Sequence, residues 1–506
     1  MTTSHETGFD GSYISAIAAR LDENRDTVVL EDDDRIYSGK ALQDMIDHLD
    51  RALWSQGVRP GDRVALIAPI TATAIAARYA ASQIGAVTVF CPGAGTPERL
   101  AVFLSRIAPS HVIVFPETAD AVAAAGASTA LSVGAVDGAV NLLAVQPGVD
   151  GVHPAVTVGA NDDCVVVASG GTTGVSKASI RSVGAYRRLV DLGSNPGRRQ
   201  LVCTPLAYIA QTMVDATLLG GGTVVLRRSA DPGVIIDTVQ RRHITHLTLV
   251  EPQLVEFAYD DTLSDADLSS LIMLTHVGAD AAPALRTKLL RRLGSPVLAK
   301  TYGASEFGLA SILAGPAYTL CSSHLATAGR PRPDIGLRVV DDTGTPVRDG
   351  RSGFIEVDTP EQAYAYSVSP ANSGFLPDGW FHTGDVGLIH EGYLQIRGRA
   401  GDRRRTARGD RFPVDLQQVL CSNPAVRYAV AIPAPAGADQ PFGAAIVLDA
   451  SSGEDVLTDL NAHLVARAPE FAGTPIVIVD HVPTTEQGKP DRAVISSLVF
   501  PSTQIG

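Results

Sequence analysis

Residues 165–178 read VVVASGGTTGVSKA. Three consecutive valines predict a buried strand. Ser169, Gly170, Gly171, Thr172, Thr173 and Gly174 follow at once, with backbone N–H groups unshielded by bulky side chains and three hydroxyls. Such a loop can curl into a concave nest of donors that suits a polyphosphate, and glycine tolerates the positive φ the curl needs. Lys177 adds a mobile point charge. The GxxxxGK[ST] phosphate loop does not describe this stretch. Ser176 stands where its glycine belongs, and Ala178 where its Mg²⁺-binding hydroxyl belongs.

Working outward, apolar runs alternate with helical spacing on both sides of the loop. Ile14, Ile17 and Leu21 share a helical face, and Ser38 is placed to cap the helix carrying Leu42, Met45, Ile46 and Leu49. Residues 64–68, 87–92 and 111–115 read as strands, with helices predicted over 71–84 and 98–107. The alternation resumes with LVCTPL, a helix over 211–219, GGGTVVLRR, a helix over 231–243 and THLTLV. This order predicts an α/β fold with a largely parallel, layered sheet. Residues 336–381 are rich in Gly, Pro and Asp between short strands, which predicts a small β-rich unit. From Asp402 onward, about 100 residues form a tail of the size of a separate α+β domain.

Four more stretches could carry chemistry. In TYGASEFG (301–308), Tyr302 beside Gly303 and Ala304 can cover a purine face. Ser305 can donate to a phosphate, and Glu306 is a hard oxygen ligand suited to Mg²⁺. A strand-to-helix turn with a capping serine would look similar. In WFHTGDVG (380–387), Asp385 can accept from two vicinal hydroxyls or simply sit in a turn after Gly384. GRAGD (398–402) is a short turn after a strand. PTTEQGKPDR (483–492) carries Lys489, one of only five lysines in the chain.

These five stretches, in this order, resemble the signatures of the ANL superfamily of adenylate-forming enzymes, which comprises acyl- and aryl-CoA synthetases, adenylation domains of peptide synthetases, and luciferases. The resemblance spans essentially the whole chain. It implies a large N-terminal domain, 1–399, and a mobile C-terminal lid, 400–506, turning about Asp402. It implies ATP with Mg²⁺, an acyl-adenylate intermediate, and CoA as co-substrate. Thr172, Thr173 and Lys177 would grip phosphates, Glu306 the metal, and Asp385 and Arg399 the ribose. Lys489 would sit between the reacting carboxylate and α-phosphate, where a cation cuts their repulsion. By the same resemblance Tyr208 in PLAYIAQT flanks the acyl pocket, while Gly278 and Ala279 in VGADAAP form a pocket wall and touch adenine. With Gly303 they leave space for a flat or extended apolar acid.

Departures bear on the acceptor. The loop RRRTARGDRFPVDLQ (403–417) places Arg403, Arg404, Arg405, Arg408 and Arg411 where the family has fewer charges, and Asp415 where it has glutamate. A solvated basic face is one reading; an anionic acceptor, the CoA 3′-phosphate or an acidic carrier protein, is the other. A nitrogen nucleophile, or an inorganic oxyanion such as nitrite as the activated group, also stays open. An α-amino acid is disfavoured, since the nearest acid, Asp215, lies close to the Gly220–Gly222 turn.

Composition narrows the classes. Of 506 residues, 45% are hydrophobic and 19% charged, as in a globular protein, and the net charge of −13 argues against sequence-independent nucleic-acid binding. Five scattered cysteines without CxxC spacing predict neither disulfides nor a zinc site and fit a cytoplasmic setting. The first residues lack a basic and apolar leader, and the apolar window 64–90 is interrupted by Pro69, Arg78 and Gln83, so a signal peptide and a membrane span are not expected.

Overall fold

The computed structural model describes residues 11–501 apart from 94, 128–129, 147, 149–152, 170–176, 280, 320–322, 368–373, 407 and 451–454. Among the described residues the strands form not one layered sheet but two large ones, of nine and eight strands, with three smaller sheets after them. The eight-stranded sheet centres on Arg63–Ile67, Val87–Phe90 and Asp163–Ser169. The nine-stranded sheet runs through Val28–Asp32, Thr223–Leu226, Arg199–Val202, His246–Val250, Met273–Val277 and Leu298–Ala304. These neighbours pair parallel, as short strands linked by helices should.

One helical layer serves both sheets. Tyr13–Glu23, Gly39–Ser55, Ala72–Gln83, Val183–Asp191 and Gln211–Leu219 pack on one another, and their core takes Leu30 and Leu226 from one sheet and Val64 and Phe90 from the other. Ala72–Gln83 is buried almost all round, which its alanines permit because small side chains let neighbours approach closely. The layer also holds a buried charge pair. Arg78 donates from Nη1 to both carboxylate oxygens of Asp215, at 2.9 and 2.8 Å, and from Nη2 to Tyr186 Oη at 3.0 Å. Tyr79 Oη donates to Asp215 at 2.7 Å, and Tyr186 Oη donates to it as well. Asp215 is thus held by three side chains inside the helical layer.

The β-rich unit is a four-stranded sheet of Gly336–Val340, Gly353–Asp358, Phe381–His390 and Tyr393–Arg399. The residues after Asp402 make sheets of their own, the hairpin Arg404–Thr406/Gly409–Arg411 and the strands Val426–Pro433, Phe442–Leu448 and Ile476–Ile478, flanked by helices Pro413–Cys421, Val456–Arg467 and Arg492–Val499. This tail docks on the helix Glu251–Tyr259, where Glu251 accepts from Tyr428 Oη and Gln417 Nε2, each at 3.1 Å. Cys91, Cys164, Cys203 and Cys421 are free and buried. No helix among the described residues is long and apolar enough to cross a membrane.

Removing one partner of a buried ion pair strands the other charge in a low-dielectric core. Asp215→Ala should therefore cost about 3–5 kcal/mol, against about 1 kcal/mol for Tyr186→Phe, which removes a single hydroxyl. The melting midpoint of the purified protein checks the order; equal shifts would deny the pair its place in holding the helical layer.

Candidate active site

Strands Asp163–Ser169 and Lys177–Ser182 pair antiparallel, and their register sets Ser169 opposite Lys177. Both ends of the phosphate-loop candidate are therefore pinned side by side. Gly170, Gly171, Thr172, Thr173 and Gly174 lie outside the described residues. Lys177 is exposed, with Nζ 4.9 Å from the ring centre of Tyr366.

The second stretch, 301–308, is not a strand-to-helix turn. Leu298–Ala304 and Gly308–Ala314 form a hairpin, and the turn between them carries Ser305 and Glu306. A Cβ on Gly303 would come within 2.3 Å of the Gly308 carbonyl, so the close approach of the two strands requires glycine there. Ser179 Oγ donates to the Ser305 carbonyl at 3.0 Å, tying this turn to the strand that leaves the phosphate loop. Glu306 accepts from Tyr366 Oη at 3.0 Å and lies near Ser305 Oγ at 3.4 Å. Tyr366, which sits in no recognisable motif, thus touches both Lys177 and Glu306. Behind it, fully buried Arg181 donates from Nε to the Glu361 carbonyl at 2.8 Å, and Glu361 is paired with Arg332. These charges back the turn but are invisible in local sequence.

Asp385 and Arg399 face each other across the hairpin Phe381–His390/Tyr393–Arg399. The carboxylate takes Tyr302 Oη on Oδ2 at 2.7 Å and Arg399 Nε on Oδ1 at 3.1 Å. Burial raises the Asp385 carboxyl above the usual range, while Arg399 and the Tyr302 hydrogen bond pull it back down. Tyr302 is thereby anchored by its hydroxyl rather than free to swing. Arg399 also donates to the Thr383 carbonyl at 2.8 Å.

Lys489 reaches this group from the other end of the chain. Gly278 ends the strand Met273–Val277 with φ +89°, and a Cβ there would come within 3.0 Å of Lys489 Cε. The backbone angle favours glycine, and the absent side chain leaves room for the lysine stem. Adjacent Ala279 is exposed. Burial pushes the Lys489 amine below the ordinary lysine range, Arg399 pushes it further down, and Glu306 draws it up. Its Nζ makes no hydrogen bond among the described residues. Lys489 thus lies in the electrostatic field of both Glu306 and Arg399.

Glu306 tests the fit of Mg²⁺. Among the described residues no group of three His, Cys, Asp or Glu side chains could hold a metal. One partly exposed carboxylate near a phosphate loop nevertheless suits this ion, which takes one or two protein carboxylates and completes its shell with phosphates and water.

Tyr208 lies in a single wide turn, Leu206–Ala210, before the helix Gln211–Leu219, and its hydroxyl donates to Glu486 Oε1 at 2.8 Å. Tyr208 itself departs from helical dihedrals, so the chain kinks there before the helix begins. Gln211 is buried with neither amide atom hydrogen-bonded among the described residues. At the start of the tail, Asp402 Oδ2 pairs with Arg492 Nη1 at 2.6 Å. Three arginines of the basic loop have acidic partners. Arg411 and Arg408 pair with Glu470 at 3.0 and 3.6 Å, and Arg403 with Asp410 at 3.7 Å. Arg404 donates to three carbonyls, those of Gly401, Arg403 and Ala434. Asp415 accepts from the Phe412 N–H at 2.8 Å at the start of helix Pro413–Cys421 and pairs with Arg397, so the shorter acid still serves a helix start.

Residues 17–366 match the family of AMP-binding enzymes. A feruloyl-CoA synthase of Amycolatopsis sp. is 30% identical over 470 residues, 88% of this chain and 91% of its own length. The amide bond synthetase McbA from Marinactinospora thermotolerans superposes with a TM-score of 0.83 at 25% identity, covering 95% of this chain and 99% of that one. The anthranilate CoA ligase AuaEII, in complex with anthranoyl-AMP, superposes with a TM-score of 0.87 at 20% identity over 98% of each chain, a likeness of fold. The chain belongs to the AMP-binding enzyme family and is an adenylate-forming enzyme of the ANL superfamily.

Proposed function

We propose that the protein activates an organic carboxylic acid, aryl or alkyl, as an acyl-adenylate and passes the acyl group to the thiol of CoA. The observation that carries this reading is Lys489, brought from the tail across Gly278 into the field of Glu306 and Arg399. In the first half-reaction a carboxylate oxygen attacks the α-phosphorus of ATP. The bond from that phosphorus to the bridging oxygen breaks, and pyrophosphate leaves with the electron pair. Thr172, Thr173 and Lys177 hold phosphates, and Asp385 with Arg399 engages the ribose. Lys489 offsets the charge that builds as the two anions meet. Glu306 would hold Mg²⁺, which when bound neutralises charge on the phosphates.

In the second half-reaction the thiol sulfur attacks the acyl carbonyl, loses its proton, and AMP departs. Lys489 occupies space beside the adenylate, so residues 400–506 act as a lid that turns about Asp402 and withdraws it. The flat acyl pocket is walled by Tyr208, Gly278 and Gly303. Likeness to an amide bond synthetase supports a second reading, in which an amine replaces the thiol. Pyrophosphate release measured over a panel of acids, nitrite included, with CoA or an aryl amine, separates these readings. No pyrophosphate with any acid would end them both.

Lys489→Ala should suppress adenylate formation by orders of magnitude, while thioester formation from supplied adenylate largely survives; single-turnover assays of each half-reaction check this, and equal loss in both contradicts the role. Asp385→Ala should chiefly weaken ATP binding, raising its KM at least tenfold, with unchanged ATP affinity removing the residue from the ribose site. The lysine works protonated, and burial lowers its pKa. The kcat/KM for ATP should therefore fall on the alkaline side at a lower pH than an ordinary lysine would set. Arg399→Gln, which removes a repelling charge, should move that limb upward.

A further inference from the structure

Lys489 is poised without a hydrogen bond of its own among the described residues, so something else must set its position. The turn that bears it is stiff. The Thr485 N–H and Oγ1 both donate to the Lys489 carbonyl, at 2.7 and 3.2 Å, and the Gly488 N–H donates to the Thr485 carbonyl at 2.8 Å. Glu486 and Lys489 are therefore fixed relative to each other. Two anchors hold this turn. On one side Arg492 pairs with Asp402 at the proposed hinge. On the other, Glu486 accepts the hydroxyl of Tyr208, 278 positions earlier in the chain, at 2.8 Å. Gln487 also reaches that phenol.

The second anchor is built for. A Cβ at position 95 would stand 2.9 Å from Glu486 Oε2, and the residue there is glycine. Tyr208 departs from helical dihedrals, with φ −124° and ψ −138°, inside a wide turn that packs on the strands Val87–Phe90 and Asp163–Ser169. The latter strand leads into the phosphate loop. The hydroxyl is thus presented from the same scaffold that frames the acid and the triphosphate.

We propose that Glu486 is a positioning residue for adenylate formation: by accepting the hydrogen bond of Tyr208 it locks the lysine-bearing turn onto the wall of the acid's pocket. This rests on the two-step reading above. Its chemistry is simple. A phenol–carboxylate bond in a half-buried place is stronger than one in water. It must break when Lys489 is withdrawn, so it favours the adenylating orientation and opposes the thioester-forming one.

The test uses the full-length protein and an acid identified by pyrophosphate release. Tyr208→Phe and Glu486→Ala should each lower the adenylation kcat about tenfold, as the loss of one charge-assisted hydrogen bond predicts, with the KM for ATP unchanged. The double variant should fall no further than either single one, because both remove the same bond. Glu486→Gln keeps a carbonyl acceptor and should recover at least half the rate. In Glu486→Ala, thioester formation from supplied adenylate should hold or quicken. Multiplicative losses in the double variant, a glutamine no better than alanine, or variants that adenylate at the wild-type rate would overturn the assignment. A parallel fall in both half-reactions would also do so. If the unaltered protein released no pyrophosphate with any acid, the two-step reading would fail first and this inference with it.

Discussion

A primary amine from the far end of the chain passes over Gly278, which carries no side chain. Lys489 belongs to the last twenty residues, yet its stem crosses a strand end of the nine-stranded sheet. A methyl group at that point would meet the lysine Cε and would also strain a backbone angle of +89°. That amine lies in the field of Glu306 and of Arg399, and Arg399 pairs in turn with Asp385.

Charges in this chain divide into two kinds. Arg78 and Asp215 satisfy each other in the helical layer, with Tyr79 and Tyr186 completing the set, and they have no capacity left for a ligand. Arg408 and Arg411 share the single carboxylate of Glu470. Lys177 and Lys489, in contrast, meet a ring face and a glycine, contacts that leave their ammonium groups available. The scarcity of lysine makes the two stand out.

Much of the scaffold was legible from local chemistry. Ser38 caps its helix as read, accepting from the Ala41 N–H, and the helix 211–219 has the bounds its spacing predicts. The division into two sheets was not legible. Alternation fixes the kind of connection, whereas the partner of each strand depends on packing hundreds of residues away. The turn at 301–308 shows the same limit. Small residues before Ser305 fit a helix start or a hairpin equally well, and the Gly308 carbonyl over Gly303 decides between them. In the site, sequence named residues singly. It offered no sign of Tyr366, Arg181 or Glu361, whose roles come from tertiary neighbours, nor that Glu486 would meet Tyr208.

Four of the five cysteines lie inside the packed layers. Burial holds the thiols of Cys164, Cys203 and Cys421 at about 12, and pushes that of Cys91 up likewise. At neutral pH these sulfurs stay protonated, and only a thiolate attacks a disulfide. A catalyst that hands acyl groups to mercaptans can therefore work among millimolar sulfhydryls and their oxidised forms without these four being captured as mixed disulfides.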